Sequence, residues 1–216
     1  LDEGKARLGI RYKLIMCFLR HLPEADAFAT LEQAEPYLDR IHGVGLDSSE
    51  LGHPPSKFAR VFAAAREKGL KLVAHAGEEG PPEYVVEALD LLEIDRIDHG
   101  NRLLEDETLI ARVKEAGQTL TVCPLSNLSL CVVDDLKDHP MRRMLDLGLN
   151  ATINSDDPAY FGGYVNQNYR ETAAALGLDA DDIITLARNS FTGAFLNPDE
   201  QDKHLKDIDK AVAELA

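Results

Sequence analysis

The chain has 216 residues, 44% hydrophobic and 28% charged, which suits one soluble globular domain with a substantial core. Its formal net charge of -15 argues against binding to a nucleic-acid backbone, which needs a surplus of Lys and Arg. No apolar run approaches a membrane span. The cysteines Cys17, Cys123 and Cys131 form neither an even disulfide set nor a CxxC metal pair, so a reducing, cytoplasmic setting is expected.

The opening LDEGKARLG lacks Met and reads as the tail of a helix, neither signal nor transit peptide. β-rich runs then recur at 9–17 (GIRYKLIMC), 41–47 (IHGVGLD), 71–75 (KLVAH), 96–99 (RIDH), 119–123 (TLTVC) and 150–154 (NATIN). Helical patterns lie between them. Residues 56–69 place Phe58, Val61, Phe62 and Ala65 on one face and stop at Gly69. Residues 81–92 open with prolines that suit a first turn, and 106–117 pairs an acidic start with a closing glycine. After the last strand only helices are expected, at 166–176, 180–190 and 200–215.

Strands alternating with helices imply βαβ units and a parallel sheet. An open doubly wound sheet usually carries a Gly-rich phosphate loop after its first strand, and none is present. The polar residues favour a (β/α)8 TIM barrel instead, because strand after strand ends in reactive groups. Asp47 to Glu50, His75 with Glu78, His99, Ser126 with Asn127, and Asp156 with Asp157 would meet at one mouth. Six strands are countable, so about six of the eight βα units are expected.

His75 alone is more often a structural histidine than a ligand. Glu78 changes the balance, since Ala76-Gly77 lets the chain turn so that both side chains face one site. His99 and Asp156 would converge with them. Imidazole and carboxylate ligands suit Zn2+, and a metal between the adjacent acids of SDDP would balance Asp156. Other stretches have plainer readings. CPLSN (123–127) suits a tight turn, GHPPSKF (52–58) a loop capping the next helix through Ser56, and DDLKDH (134–139) a solvated surface run. YFGGY (160–164) offers a hinge or lid, and Cys123 is expected to be a buried thiol.

HAGEEG (75–80), RIDHG (96–100), TVCPLSN (121–127) and NSDDP (154–158) together resemble, in order and spacing, the adenosine/adenine deaminase family of zinc-dependent amidohydrolase barrels. GVGLDSSELGHPPSKF (43–58) and SDDPAYFGGY (155–164) resemble the branch acting on the free base. The resemblance implies one Zn2+ held by His75 and Asp156, with Glu78 donating a proton to the purine ring. His99 would orient the attacking water and take its proton, and Asp157 would bind the imidazole side of the ring. Ser49 and Glu50 would line the base pocket. The implied reaction converts adenine to hypoxanthine and ammonia in purine salvage, with a small-molecule purine as the expected partner, neither nucleic acid nor membrane, and the oligomeric state left open. Two other readings stand beside it: adenosine as substrate, and a non-catalytic purine-binding domain. The family's first barrel strand ends in a His-x-His pair that supplies two more ligands, and no His-x-His occurs here. Residues 1–216 are therefore expected to form a single barrel domain lacking the first two βα units.

Overall fold

The computed structural model describes residues 1–215 and divides into two compact units. The first comprises Leu1–Ala74 with Glu87–Asp95; the second comprises His75–Val86 and the chain from Arg96 onward.

The first unit holds helix α1 (Asp2–Leu8), strand β1 (Leu14–Leu19), helix α2 (Glu24–Ala34), strand β2 (Ile41–Asp47) and helix α3 (Ala59–Glu67). Strand β3 (Lys71–Ala76) runs from this unit into the second. Strands β1 and β2 pair in parallel from Ile15 opposite Gly43 to Leu19 opposite Asp47, and Gly43 and Val44 pair with Lys71 and Leu72. Glycine is required at 43, where a Cβ would stand 2.6 Å from the Lys71 carbonyl oxygen. The stripe expected between 56 and 69 is the buried face of α3: Val61, Phe62 and Ala65 are fully enclosed, and Phe62 meets Phe18 edge-on at 5.9 Å. Fully burying each phenyl ring stabilises the unit by about 1.5–3 kcal/mol.

Two expectations for this unit are corrected. Strand β1 starts at Leu14 because Gly9, in the left-handed region at φ +68, ends α1, and residues 10–13 lie outside any strand. Ser56 does not cap the next helix. Residues Pro55–Phe58 form a 3-10 turn, and the first amides of α3, on Arg60 and Val61, donate instead to Oε1 of Glu24 at 3.0 and 3.1 Å.

The second unit begins at His75 and continues through helix α4 (Pro82–Glu87), whose last residue belongs to the first unit. Strand β4 (Arg96–His99), helix α5 (Glu107–Glu115), strand β5 (Thr119–Val122), helices α6 (Pro124–Ser129) and α7 (Met141–Asp146), and strand β6 (Asn150–Ile153) follow. The chain ends in α8 (Pro158–Phe161), α9 (Val165–Leu176), α10 (Ala180–Thr192) and α11 (Pro198–Leu215). All pairings are parallel: Ile97 opposite Leu120, Asp98 opposite Thr121, and Thr119 through Val122 opposite Asn150 through Ile153. Ile97, Leu120, Val122, Ala151 and Ile153 are buried beside Val113, Met141, Met144 and Leu186, as expected of strands covered on both faces. Because β4, β5 and β6 run the same way in register, their C-terminal ends lie together, and the residues just beyond them are neighbours.

Two further readings change here. CPLSN is no tight turn: Pro124 occupies the first turn of α6, where its missing N–H costs nothing, and the Asn127 amide closes that turn on the Cys123 carbonyl at 2.9 Å. The 134–139 run is not uniformly solvated, since Leu136 and His139 are both buried.

Candidate active site

Three tight backbone turns place the functional side chains. After β3, Gly77 adopts φ +71 and redirects the chain between His75 and Glu78; its carbonyl accepts from the Arg102 amide at 2.7 Å. At the end of β4, His99 itself has φ +65 and Gly100 has φ +76. Beyond β6, Asp156 has φ +53. Left-handed backbone at bulkier residues costs about 1–2 kcal/mol and persists where its surroundings enforce it, as in an active site.

His99 is the centre of the constellation and only 2% exposed. Its ring lies 4.7 Å from that of His75, its Nδ1 is 3.3 Å from Glu78 Oε1, and its Nε2 is 3.9 Å from Asp156 Oδ2. Potential ligand atoms of His75, Glu78 and His99 all fall within 4.8 Å of one another, and so do those of His99, Cys123 and Asp156. His75 and Glu78 from one turn, and His99 and Asp156 from the ends of later strands, are therefore brought together, with His99 shared by both groups. Asp157 is exposed and begins α8, its carbonyl accepting from the Tyr160 and Phe161 amides. Ser49 and Glu50 belong to the loop after β2 in the first unit, Ser49 exposed and Glu50 buried. Gly162 and Gly163 both have positive φ, and a Cβ on Gly163 would stand 2.3 Å from Leu125 Cδ1.

Burial, reinforced by the neighbouring imidazoles of His75 and His139, holds the His99 pKa well below its usual value, so its ring is neutral near pH 7. A neutral imidazole is the form that ligates a metal or accepts a proton. Burial first, and then the carboxylates of Asp156, Asp98 and Glu78, push the Cys123 thiol well up, so it is no nucleophile at neutral pH. Asp98 stands behind His75, with Oδ2 3.9 Å from His75 Nδ1, and accepts a hydrogen bond from the Thr121 hydroxyl. This is the carboxylate backing commonly found behind metal-facing histidines. Imidazole and carboxylate donors around a neutral, buried His99 fit a divalent metal such as zinc.

The sequence did not single out Asn127, Asn101 or His139 as a group. Asn127, 0% exposed, donates from Nδ2 to Glu78 Oε1 at 2.9 Å and stands 3.2 Å from His99 Nδ1. Its Oδ1 accepts from Asn101 Nδ2 at 2.9 Å and faces His139 Nε2 at 3.3 Å. The available signal was Asn127 itself, a polar residue just past a buried strand; His139 was hidden in a charged run.

A protein-family model described as adenosine deaminase matches residues 1–211. The chain is 68% identical over 209 residues to an adenine deaminase of Sphingopyxis alaskensis, covering 97% of this chain and 61% of the relative. It is 63% identical over 213 residues to an adenine deaminase of Caulobacter vibrioides, covering 99% and 62%. The chain thus spans about three fifths of the length of the curated relatives it matches. Among solved structures, an adenine deaminase from Arthrobacter aurescens matches with a TM-score of 0.96 at 44% identity, over 99% of this chain and 65% of that one. An amidohydrolase from Burkholderia ambifaria with bound zinc matches with a TM-score of 0.88 at 28% identity, over 99% and 62%. These matches bear out the α/β TIM-barrel class with six strands of the eight. The chain belongs to the adenosine deaminase family.

Proposed function

We propose that the protein catalyses the zinc-dependent hydrolytic deamination of adenine to hypoxanthine and ammonia. The observation that carries this reading is the convergence of Glu78, His75 and Asp156 on the buried, neutral His99. The free base is favoured over the nucleoside by the similarity to proteins named adenine deaminase, at 68% and 63% identity.

His75 and Asp156 would hold one zinc ion, and zinc, when bound, brings the pKa of water down to about 7. The remaining steps belong to this chain's side chains. Glu78 gives a proton to ring N1, which lets the ring take up the electron pair displaced as the water oxygen bonds to C6. His99 orients that water and takes its proton, then returns a proton to the departing amino group as the C6–N bond breaks, while the remaining hydroxyl proton passes to the Glu78 carboxylate and leaves the C6 carbonyl of hypoxanthine. Asp157 hydrogen-bonds the imidazole side of the purine. Two ligands alone hold zinc weakly, so the account requires the family's His-x-His pair to come from outside these 216 residues. Among the described residues no helix is long and apolar enough to cross a membrane, and a cytoplasmic role in purine salvage accords with the free thiols of Cys17, Cys123 and Cys131.

The test is a zinc titration of the natural polypeptide that carries these residues, stripped with a chelator and supplied with adenine. Hypoxanthine should appear in proportion to bound zinc. Adenine binding without turnover at saturating zinc would instead establish a non-catalytic purine-binding protein.

A further inference from the structure

We infer that His139 is a positioning residue for the proton donor Glu78, acting through the side chain of Asn127; the inference rests on the deaminase reading given above. The Met141 backbone N–H can only donate, and it points at His139 Nδ1 from 3.1 Å. That nitrogen therefore keeps its lone pair, and the proton of the neutral ring sits on Nε2. Burial supports the same state by holding the His139 pKa down to about 4. Nε2–H then faces Asn127 Oδ1 at 3.3 Å, and Asn101 Nδ2 donates to the same oxygen at 2.9 Å. Two donors on one side decide which end of the Asn127 amide is oxygen. Its NH2 must face the other way, where it donates to Glu78 Oε1 at 2.9 Å.

The backbone holds this side chain in place. The Asn127 amide bonds to the Cys123 carbonyl, and its own carbonyl accepts from the Val132 amide at 2.8 Å. The N–H of Asn127 marks Glu78 Oε1 as the accepting oxygen, so the proton of the acid form belongs on Oε2. A flipped amide would set oxygen against oxygen at that contact and lose the aim of the donated proton. His139 thus controls Glu78 without touching the purine, from a run of sequence that otherwise resembles surface.

The test compares His139→Gln, which keeps an N–H donor, with His139→Phe, which removes it, in the zinc-loaded natural polypeptide. His139→Phe should lower kcat for adenine by about 10- to 100-fold with KM changed less than about twofold, the scale seen for partners behind a metal site. His139→Gln should recover most of that loss. A loss shared equally by both variants, or absent from both, overturns the inference. The second readout is ring-nitrogen NMR of the unsubstituted protein, which needs neither activity nor a folded variant. It should show His139 protonated at Nε2 and unprotonated at Nδ1 across neutral pH, and a proton on Nδ1 would overturn the relay. If the unsubstituted protein leaves adenine intact, the functional reading fails, and the tautomer alone decides whether the polarity chain is right.

Discussion

Replacing Gly77 by alanine should destabilise the protein by about 2–5 kcal/mol, although the change adds a single methyl group. The backbone at 77 has φ +71, which costs an L-residue about 1–2 kcal/mol. The new Cβ would also stand 2.8 Å from Val85 Cγ2, and Val85 is completely buried at 0% exposure. Overpacking of that kind costs about 1–3 kcal/mol more. The two contributions separate in a double-mutant cycle. Val85→Ala alone should cost about 2 kcal/mol from lost burial and the cavity left behind. In the double variant the clash is gone while the φ penalty stays, so its cost should fall short of the sum by the clash contribution, about 1–3 kcal/mol. Urea unfolding of the four proteins measures this directly. Gly77→Ala within about 0.5 kcal/mol of the parent, or a cycle additive to within about 0.5 kcal/mol, would refute the geometry assigned to the turn between His75 and Glu78.

Three further outcomes follow from the same site. Glu78→Gln should leave the fold intact by circular dichroism and lower kcat by about 10^2- to 10^4-fold, the range for loss of a general acid; unchanged kcat would remove Glu78 from its role. Asp156→Asn should weaken zinc binding by more than about tenfold in competition with a chromogenic chelator, whereas equal affinity would mean Asp156 is no ligand. The buried His139 makes stability pH-dependent. Its folded pKa, about 4, lies below the unfolded value of 6.5, so between those values the unfolded chain binds more protons and acid favours unfolding. This contribution is fully present above pH 6.5 and is lost as the pH falls toward 4, up to about 3 kcal/mol in all, with His99 acting in the same direction. Denaturation midpoints against pH should flatten in His139→Gln, and an unchanged slope would contradict the burial argument.

The strands were legible in the sequence because period and punctuation agreed. β2 at 41–47 and β4 at 96–99 lie where the apolar runs end in polar residues. The convergence of His75, Glu78, His99 and Asp156 was legible for the same reason: parallel strands gather their C-terminal ends, so the last residues of each run become neighbours. Residues whose place depends on contacts distant in the chain were not legible. Prolyl and seryl residues in CPLSN read as turn formers, yet Pro124 starts a helix that buries Asn127. Nothing local distinguishes His139 from its charged neighbours, because its burial comes from packing. Glu24 caps α3 from 36 residues away through its bond to the Arg60 amide, a contact no sequence window reveals.

The central claim is tested most directly by initial rates of ammonia release from adenine and from adenosine, using the zinc-loaded natural polypeptide. The expected result is kcat/KM for adenine well above that for adenosine, with turnover abolished by chelation and restored by zinc. A preference for adenosine would contradict the free-base assignment, and no release from either substrate at saturating zinc would contradict the deaminase reading itself.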